Sequence, residues 1–124
     1  MLKLLNLTIG GTAGTVARYL LAGAVYRVCG TAFPYGTLVV NLSGCFILGF
    51  LASLAEKKFA LNSDLRLLLM IGFCGAFTTF STFIFETDGL LKNGEIARAC
   101  INIFVSVIFG FILFRVGSLI GEII

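Results

Sequence analysis

Gly72-Phe73-Cys74-Gly75-Ala76-Phe77-Thr78-Thr79-Phe80-Ser81-Thr82-Phe83 decides how this chain folds. The stretch lies in an interval without charge, between Arg66 and Glu86, and so reads as the centre of a membrane span. Two glycines followed by four hydroxyl residues in five positions weaken a helix in the middle of that span. Ser and Thr hydroxyls can bond the backbone in place of the helical ladder. Broken helices at membrane depth occur where freed carbonyls and amides bind ions or line a cavity. A break here exposes carbonyl oxygens, which suit a hard cation such as Na⁺. The plainer alternative is an unbroken helix with buried hydroxyls.

Outward from this segment, the charges partition the chain. None falls between Arg27 and Glu56, between Arg66 and Glu86, or between Arg98 and Arg115, gaps of 28, 19 and 16 residues. A hydrocarbon core about 30 Å thick needs about 20 apolar residues at about 1.5 Å each. The first 26 positions carry only Lys3 and Arg18, so the pattern predicts four helices, about 4–26, 36–55, 67–86 and 97–120. The connectors (Val28 to Tyr35, Glu56 to Asp64 with Lys57 and Lys58, Asp88 to Glu95) are short, so 1–124 is one membrane domain. The N-terminus reads as the first span rather than a cleaved signal peptide, because Arg18 stands where an exit site would be needed.

Composition agrees. Hydrophobic residues make up 59% and charged residues 12%, with a mean hydropathy of +1.08, against about 45–50% and about 25% in soluble domains. The absence of histidine excludes histidine-based acid/base catalysis, Ser-His triads and histidine-ligated metals. Cys29, Cys45, Cys74 and Cys100 form no CxxC pair and read as small apolar residues. Four helices of one chain leave no wide tunnel, so any pathway is narrow or shared between subunits.

With an even number of spans both termini share a side, which collects Lys3, Lys57, Lys58, Arg66 and Arg115 against Arg27, Lys92 and Arg98. Such a weak bias does not fix insertion. The chain inserts either in one orientation, basic side inside, or both ways up, in which case opposite insertions could pair as an antiparallel dimer.

Polar residues within spans are costly unless they face a partner or water, which marks them as candidate sites. Gly10 and Gly14 form a small-xxx-small seam, while Arg18 either snorkels or faces a wet vestibule. Asn41 and Ser43 lie one to two turns into the second helix, and an amide there offers two donors. Phe80 and Phe83 share a helix face; ring edges are electropositive, so rings edge-on beside hydroxyl and amide donors would attract an anion, whereas a plain Phe stripe is packing. Asn102, Ser106 and Gly110 form one polar-to-small stripe on the last helix.

Three segments together carry a resemblance: Gly10-Gly11-x-x-Gly14-x-x-x-Arg18-Tyr19, Gly36-Thr37-Leu38-x-Val40-Asn41-x-x-Gly44, and Gly72-x-x-Gly75-x-x-Thr78-Thr79-Phe80-Ser81-Thr82-Phe83-x-x-Glu86. In order, motif and overall length the chain resembles the small bacterial fluoride channels of the Fluc (CrcB-type) family. The resemblance implies an all-α integral membrane protein of four transmembrane helices with a broken third helix, assembled as an antiparallel dual-topology homodimer in the bacterial inner membrane. It implies passive, fluoride-selective export that relieves fluoride toxicity, without catalytic chemistry or a nucleic-acid partner. A structural Na⁺ at the dimer centre would be held by the carbonyls of Gly75 and Thr78. Asn41, Phe80, Ser81, Thr82, Phe83 and Ser106 would line the anion pathway, with Arg18 at its vestibule.

The last helix departs from the family's pattern, with Gly110 and Phe114 where members often continue the hydroxyl track, which leaves a non-identical partner open. The rival class is a small four-helix multidrug or cation exporter. Proton-coupled export of that kind needs a carboxylate deep in the first helix, and residues 4–26 contain no Asp or Glu. Glu86, the one acidic residue near a span core, is expected at a helix end.

Overall fold

In the computed structural model, which describes residues 1–57 and 61–124, the chain is helical almost throughout and the described residues contain no strand. Lys58, expected in the second connector, lies outside the described residues. Helix α1 (Leu2–Cys29) ends where Gly30, at φ 83, takes a left-handed conformation and its N–H donates back to the Tyr26 carbonyl. Pro34 precedes α2 (Tyr35–Glu56), where a missing N–H is harmless.

The third span is longer than the expected 67–86 and runs over Ser63–Lys92. Asn62 opens it by accepting from the Leu65 N–H at 2.8 Å. Its first half, called α3 here, joins Ser63–Arg66, Leu67–Cys74 and Gly75–Phe77, and the central eight residues are wound in wide turns of π type. Thr78 and Thr79 are extended, at ψ 154 and ψ 114, and α4 (Phe80–Lys92) resumes behind them. The break therefore falls on the threonine pair and not on the glycines: Gly75 keeps helical dihedrals and its N–H still donates to the Gly72 carbonyl. Asp88 to Lys92, expected in the connector, continue α4, helped by the Asp88–Lys92 ion pair one turn apart. Gly94, at φ 75, makes the turn into α5 (Ile96–Ile123).

Tyr35–Glu56, Ser63–Lys92 and Ile96–Ile123 are each long and apolar enough to cross a membrane. Helix α1 has 28 residues, enough to span, but its Gly, Thr and Arg residues dilute its hydropathy. It joins the bundle through backbone contact. A Cβ at Gly10 would run into the Leu68 carbonyl and one at Gly14 into the Phe73 carbonyl, both on the wide-turn segment. Helices α2 and α5 close in the same manner, with Gly49 beneath the Phe114 carbonyl and Gly117 beneath that of Phe46. Small residues let membrane helices approach until dispersion and hydrogen bonding hold them, where no hydrophobic drive exists.

The two ends of the bundle are tied by basic side chains. Lys57 Nζ donates to the Glu122 carbonyl at 3.1 Å, and Arg66 donates to the Ala55 carbonyl, so both sit at the C-terminal end. Arg98 donates to Ala32 and Glu95 at the opposite end. Few large side chains are buried, and Phe104, Phe111, Ile101 and Val107 point outward from α5.

Candidate functional site

The extended threonine pair disturbs the hydrogen-bond ladder at two defined points. In a continuous helix the Thr79 N–H would reach the Gly75 carbonyl and the Thr82 N–H that of Thr78. Instead the Thr79 N–H donates to Asn41 Oδ1 at 2.7 Å, and the Thr82 N–H to Thr79 Oγ1 at 3.3 Å. The carbonyls of Gly75 and Thr78 thereby lose their helical donors.

Asn41 does most of the bracing. Besides accepting from Thr79 N–H, its Nδ2 donates to the Thr79 carbonyl at 3.0 Å, so one side-chain amide replaces a peptide neighbour on both sides of the residue. Its second N–H remains to donate elsewhere. Thr79 donates its hydroxyl proton to Thr82 Oγ1 at 3.0 Å, which leaves the Thr82 proton available. Gly44, one turn beyond Asn41, makes room for the Thr78 methyl.

These groups meet the expected aromatic pair. The Phe80 and Phe83 rings stand 5.8 Å apart at 44°. Phe83 is 7% exposed, whereas Phe80 is 74% exposed and projects from the chain beside Ser81, also exposed. A cavity of about 220 Å³ runs along this face, lined by Asn41, Thr78, Thr79 and Phe80 among others. A second cavity, of about 460 Å³, is lined by Arg18, Thr15, Thr37, Thr79, Thr82 and Glu86 among others. Arg18 thus shares a cavity with Thr82 and not with Asn41, and Phe83 and Ser106 line neither.

Ser106 Oγ is buried without a hydrogen-bond partner. Its stripe-mates behave differently: Asn102 is committed to Thr87 at 2.9 Å, and Gly110 lies in ordinary contact with Cys45 Sγ.

Glu86, expected at a helix end, stands within α4. Its Oε1 accepts from Thr37 Oγ1 at 2.9 Å and from Tyr26 OH at 3.1 Å, while Oε2 is buried with no partner. The cluster was invisible in sequence because its members are 49 and 60 positions apart. Asn62, Thr79 and the wide turns were likewise unexpected in detail; of these, only Asn62, an N-cap residue type ahead of an apolar run, carries a local signal.

No group of three or more His, Cys, Asp or Glu side chains that could hold a metal occurs among the described residues. A cation at the break would depend on neutral carbonyls, and the two that lack helical donors fit a weakly charged, hard ion.

Fold and site define a multi-pass α-helical membrane protein whose polar groups are gathered around an interrupted helix. The chain belongs to the family described as CrcB-like protein, Camphor Resistance (CrcB), whose model matches residues 5–118. It is 42% identical over 124 residues, all of this chain and 98% of the relative, to the fluoride-specific ion channel FluC of Maridesulfovibrio salexigens. It is 49% identical over 107 residues, 86% of each chain, to the protein of the same name from Geobacter sulfurreducens. The FluC of Dehalococcoides mccartyi is 42% identical over 122 residues, 98% of this chain and 94% of that one.

Proposed function

We propose that this protein is a fluoride-selective passive channel, not an enzyme, which lets fluoride leave a bacterium down its gradient across the inner membrane and so relieves its toxicity. The observation that carries the reading is the Asn41–Thr79 brace beside Phe80 and Thr82, in a family whose curated relatives are named fluoride-specific ion channels.

Fluoride is small and strongly hydrated, so a path for it must replace water with donors at short range. The free N–H of Asn41 and the hydroxyls of Thr82, Ser81 and Ser106 are such donors, and all are neutral. A Lys or Arg in their place would hold the anion too tightly to release it. Phe80 and Phe83 contribute electropositive ring edges and exclude a thick hydration shell. Arg18 shares the larger cavity with Thr82, apart from Asn41, and raises the local anion concentration there.

The functional unit is an antiparallel homodimer of oppositely inserted chains in the lipid bilayer. Supporting this, Phe80, Ser81 and Gly75 are all exposed on a single chain, so the donor face lacks its opposite wall. The carbonyls of Gly75 and Thr78 would hold a Na⁺ between the chains, where it supplies fixed positive charge that ties the two breaks together. A non-identical partner would present the same face to a different wall. Multidrug export gains no support, since the one intramembrane carboxylate, Glu86, is bonded to Tyr26 and Thr37 on α4 rather than placed on α1.

The test is efflux from proteoliposomes loaded with fluoride or chloride. Fluoride release with chloride retained is the expected result; purified protein that releases neither overturns the reading.

A further inference from the structure

Helices α4 and α5 are joined, among the described residues, by one side-chain hydrogen bond, from Asn102 Nδ2 to Thr87 Oγ1 at 2.9 Å. Proton count fixes its direction. The single hydroxyl proton of Thr87 goes to the Phe83 carbonyl at 2.7 Å, so Thr87 can only accept from the amide. Both residues are buried, Asn102 to 1% exposure.

What makes the bond unusual is the interface around it. The α1–α3 and α2–α5 contacts interlock backbone on backbone through glycine, which fixes their registers by shape. The α4–α5 contact has no such seam: Gly89, the one glycine of α4, has open space where a Cβ would stand, and Gly110, Gly117 and Gly121 of α5 face α2. Apolar side chains alone hold depth loosely, so beyond the tight Asn93–Glu95 turn the polar pair is the contact that sets depth directly between these two helices.

That register matters because of what lies one turn away. The two helices run antiparallel from the turn at Gly94, so pairing Thr87 with Asn102 sets Phe83 level with Ser106, four residues farther along each helix. A slip of one turn would bring Ser106 level with Thr87 or with Thr79 instead. Ser106 Oγ is the buried hydroxyl on this face without a partner of its own.

We propose that Thr87 and Asn102 are a positioning pair, a register lock that sets the depth of the Ser106 hydroxyl against the Phe83 ring. The inference rests on the fluoride-channel reading above, with Ser106 and Phe83 in the path; neither Thr87 nor Asn102 touches the anion in this role.

The experiment has two arms. In the first, Thr87→Val, Asn102→Leu, the double variant and Thr87→Ser are reconstituted, and fluoride efflux is measured per folded protein after size exclusion. Thr87→Val and Asn102→Leu should each lower efflux about tenfold, the low end of what loss of an outer supporting partner costs at other sites. The double variant should be no slower than the slower single, and Thr87→Ser should keep the rate. Asn102→Gln, which keeps the amide but lengthens its stem, replaces Asn102→Leu if the latter does not fold, with the same expected loss.

The second arm needs no flux. In a chain whose Cys29, Cys45, Cys74 and Cys100 are replaced by Ala, Ile84→Cys and Ile103→Cys stand on the same exposed flank of the two helices, brought within about 3 Å of level by the same register. A short bis-thiosulfonate linker should join them efficiently, and Thr87→Val should lower the yield several-fold. Efflux or cross-linking that stays at the parent value in the Val and Leu variants overturns the lock. A wild-type protein that releases no fluoride overturns the functional reading instead, and the cross-linking arm then decides the register alone.

Discussion

Asn41 and Thr79 exchange two hydrogen bonds, Nδ2 to carbonyl at 3.0 Å and N–H to Oδ1 at 2.7 Å, so that an amide from α2 occupies the place of the missing turn between α3 and α4. Asn41→Leu should lose both bonds and leave two buried backbone groups without partners, at about 1–3 kcal/mol of stability. Asn41→Asp keeps the acceptor but sets a carboxylate against the Thr79 carbonyl, and should also lower fluoride efflux. Thermal melts in detergent and liposome efflux measure the two effects; an Asn41→Leu protein with unaltered melting would remove the amide from the bracing role.

Phe80 and Phe83 should separate stability from transport. Phe83 is buried in the single chain, so Phe83→Ile should lower both melting temperature and efflux. Phe80 projects outward, so Phe80→Ile should leave the fold of one chain nearly untouched, within about 0.5 kcal/mol for an exposed site, and still cut efflux sharply. Efflux at the wild-type rate in both variants would take the rings out of the mechanism.

The α1–α3 seam predicts a contrast between neighbouring glycines. Gly10→Ala and Gly14→Ala drive a methyl into carbonyls of the wide-turn segment and should destabilise by about 1–3 kcal/mol. Gly11→Ala and Gly23→Ala meet open space and should be neutral or slightly stabilising. Equal melting temperatures for Gly10→Ala and Gly11→Ala would contradict the seam.

Insertion can be biased by charge. A tail of three Lys after Ile124 should hold that side inside, and Asn93→Lys with Lys3→Gln should favour the reverse. Each variant expressed alone should lose most fluoride efflux, and the two together should recover it. Full efflux from a chain shown by cysteine labelling to be in one orientation argues against antiparallel pairing.

The parts of this fold that were legible in sequence are those set by solvent. Long charge-free intervals gave the spans, and Gly10 and Gly14 announced a close seam, because lipid and steric access act locally. The Gly72–Phe83 segment announced a break, but its position was settled by Asn41, far away in the chain. Asn102 looked like a member of a path stripe, yet it is spent on Thr87, a partner that periodicity on one helix cannot reveal. Glu86 appeared terminal because Asp88 and Lys92 looked like loop residues; their mutual attraction prolongs α4 instead.

The wide winding of Leu67–Cys74 carries one more consequence. Removing any single residue there would relax the segment to ordinary helix and leave its apolar character intact. It would also turn everything beyond it about the helix axis relative to α2, swinging Thr79 away from Asn41 and carrying Phe80 and Thr82 with it. Between Arg66 and Gly75 the chain is thus constrained in length as well as in residue type, a reading frame for side chains rather than for codons.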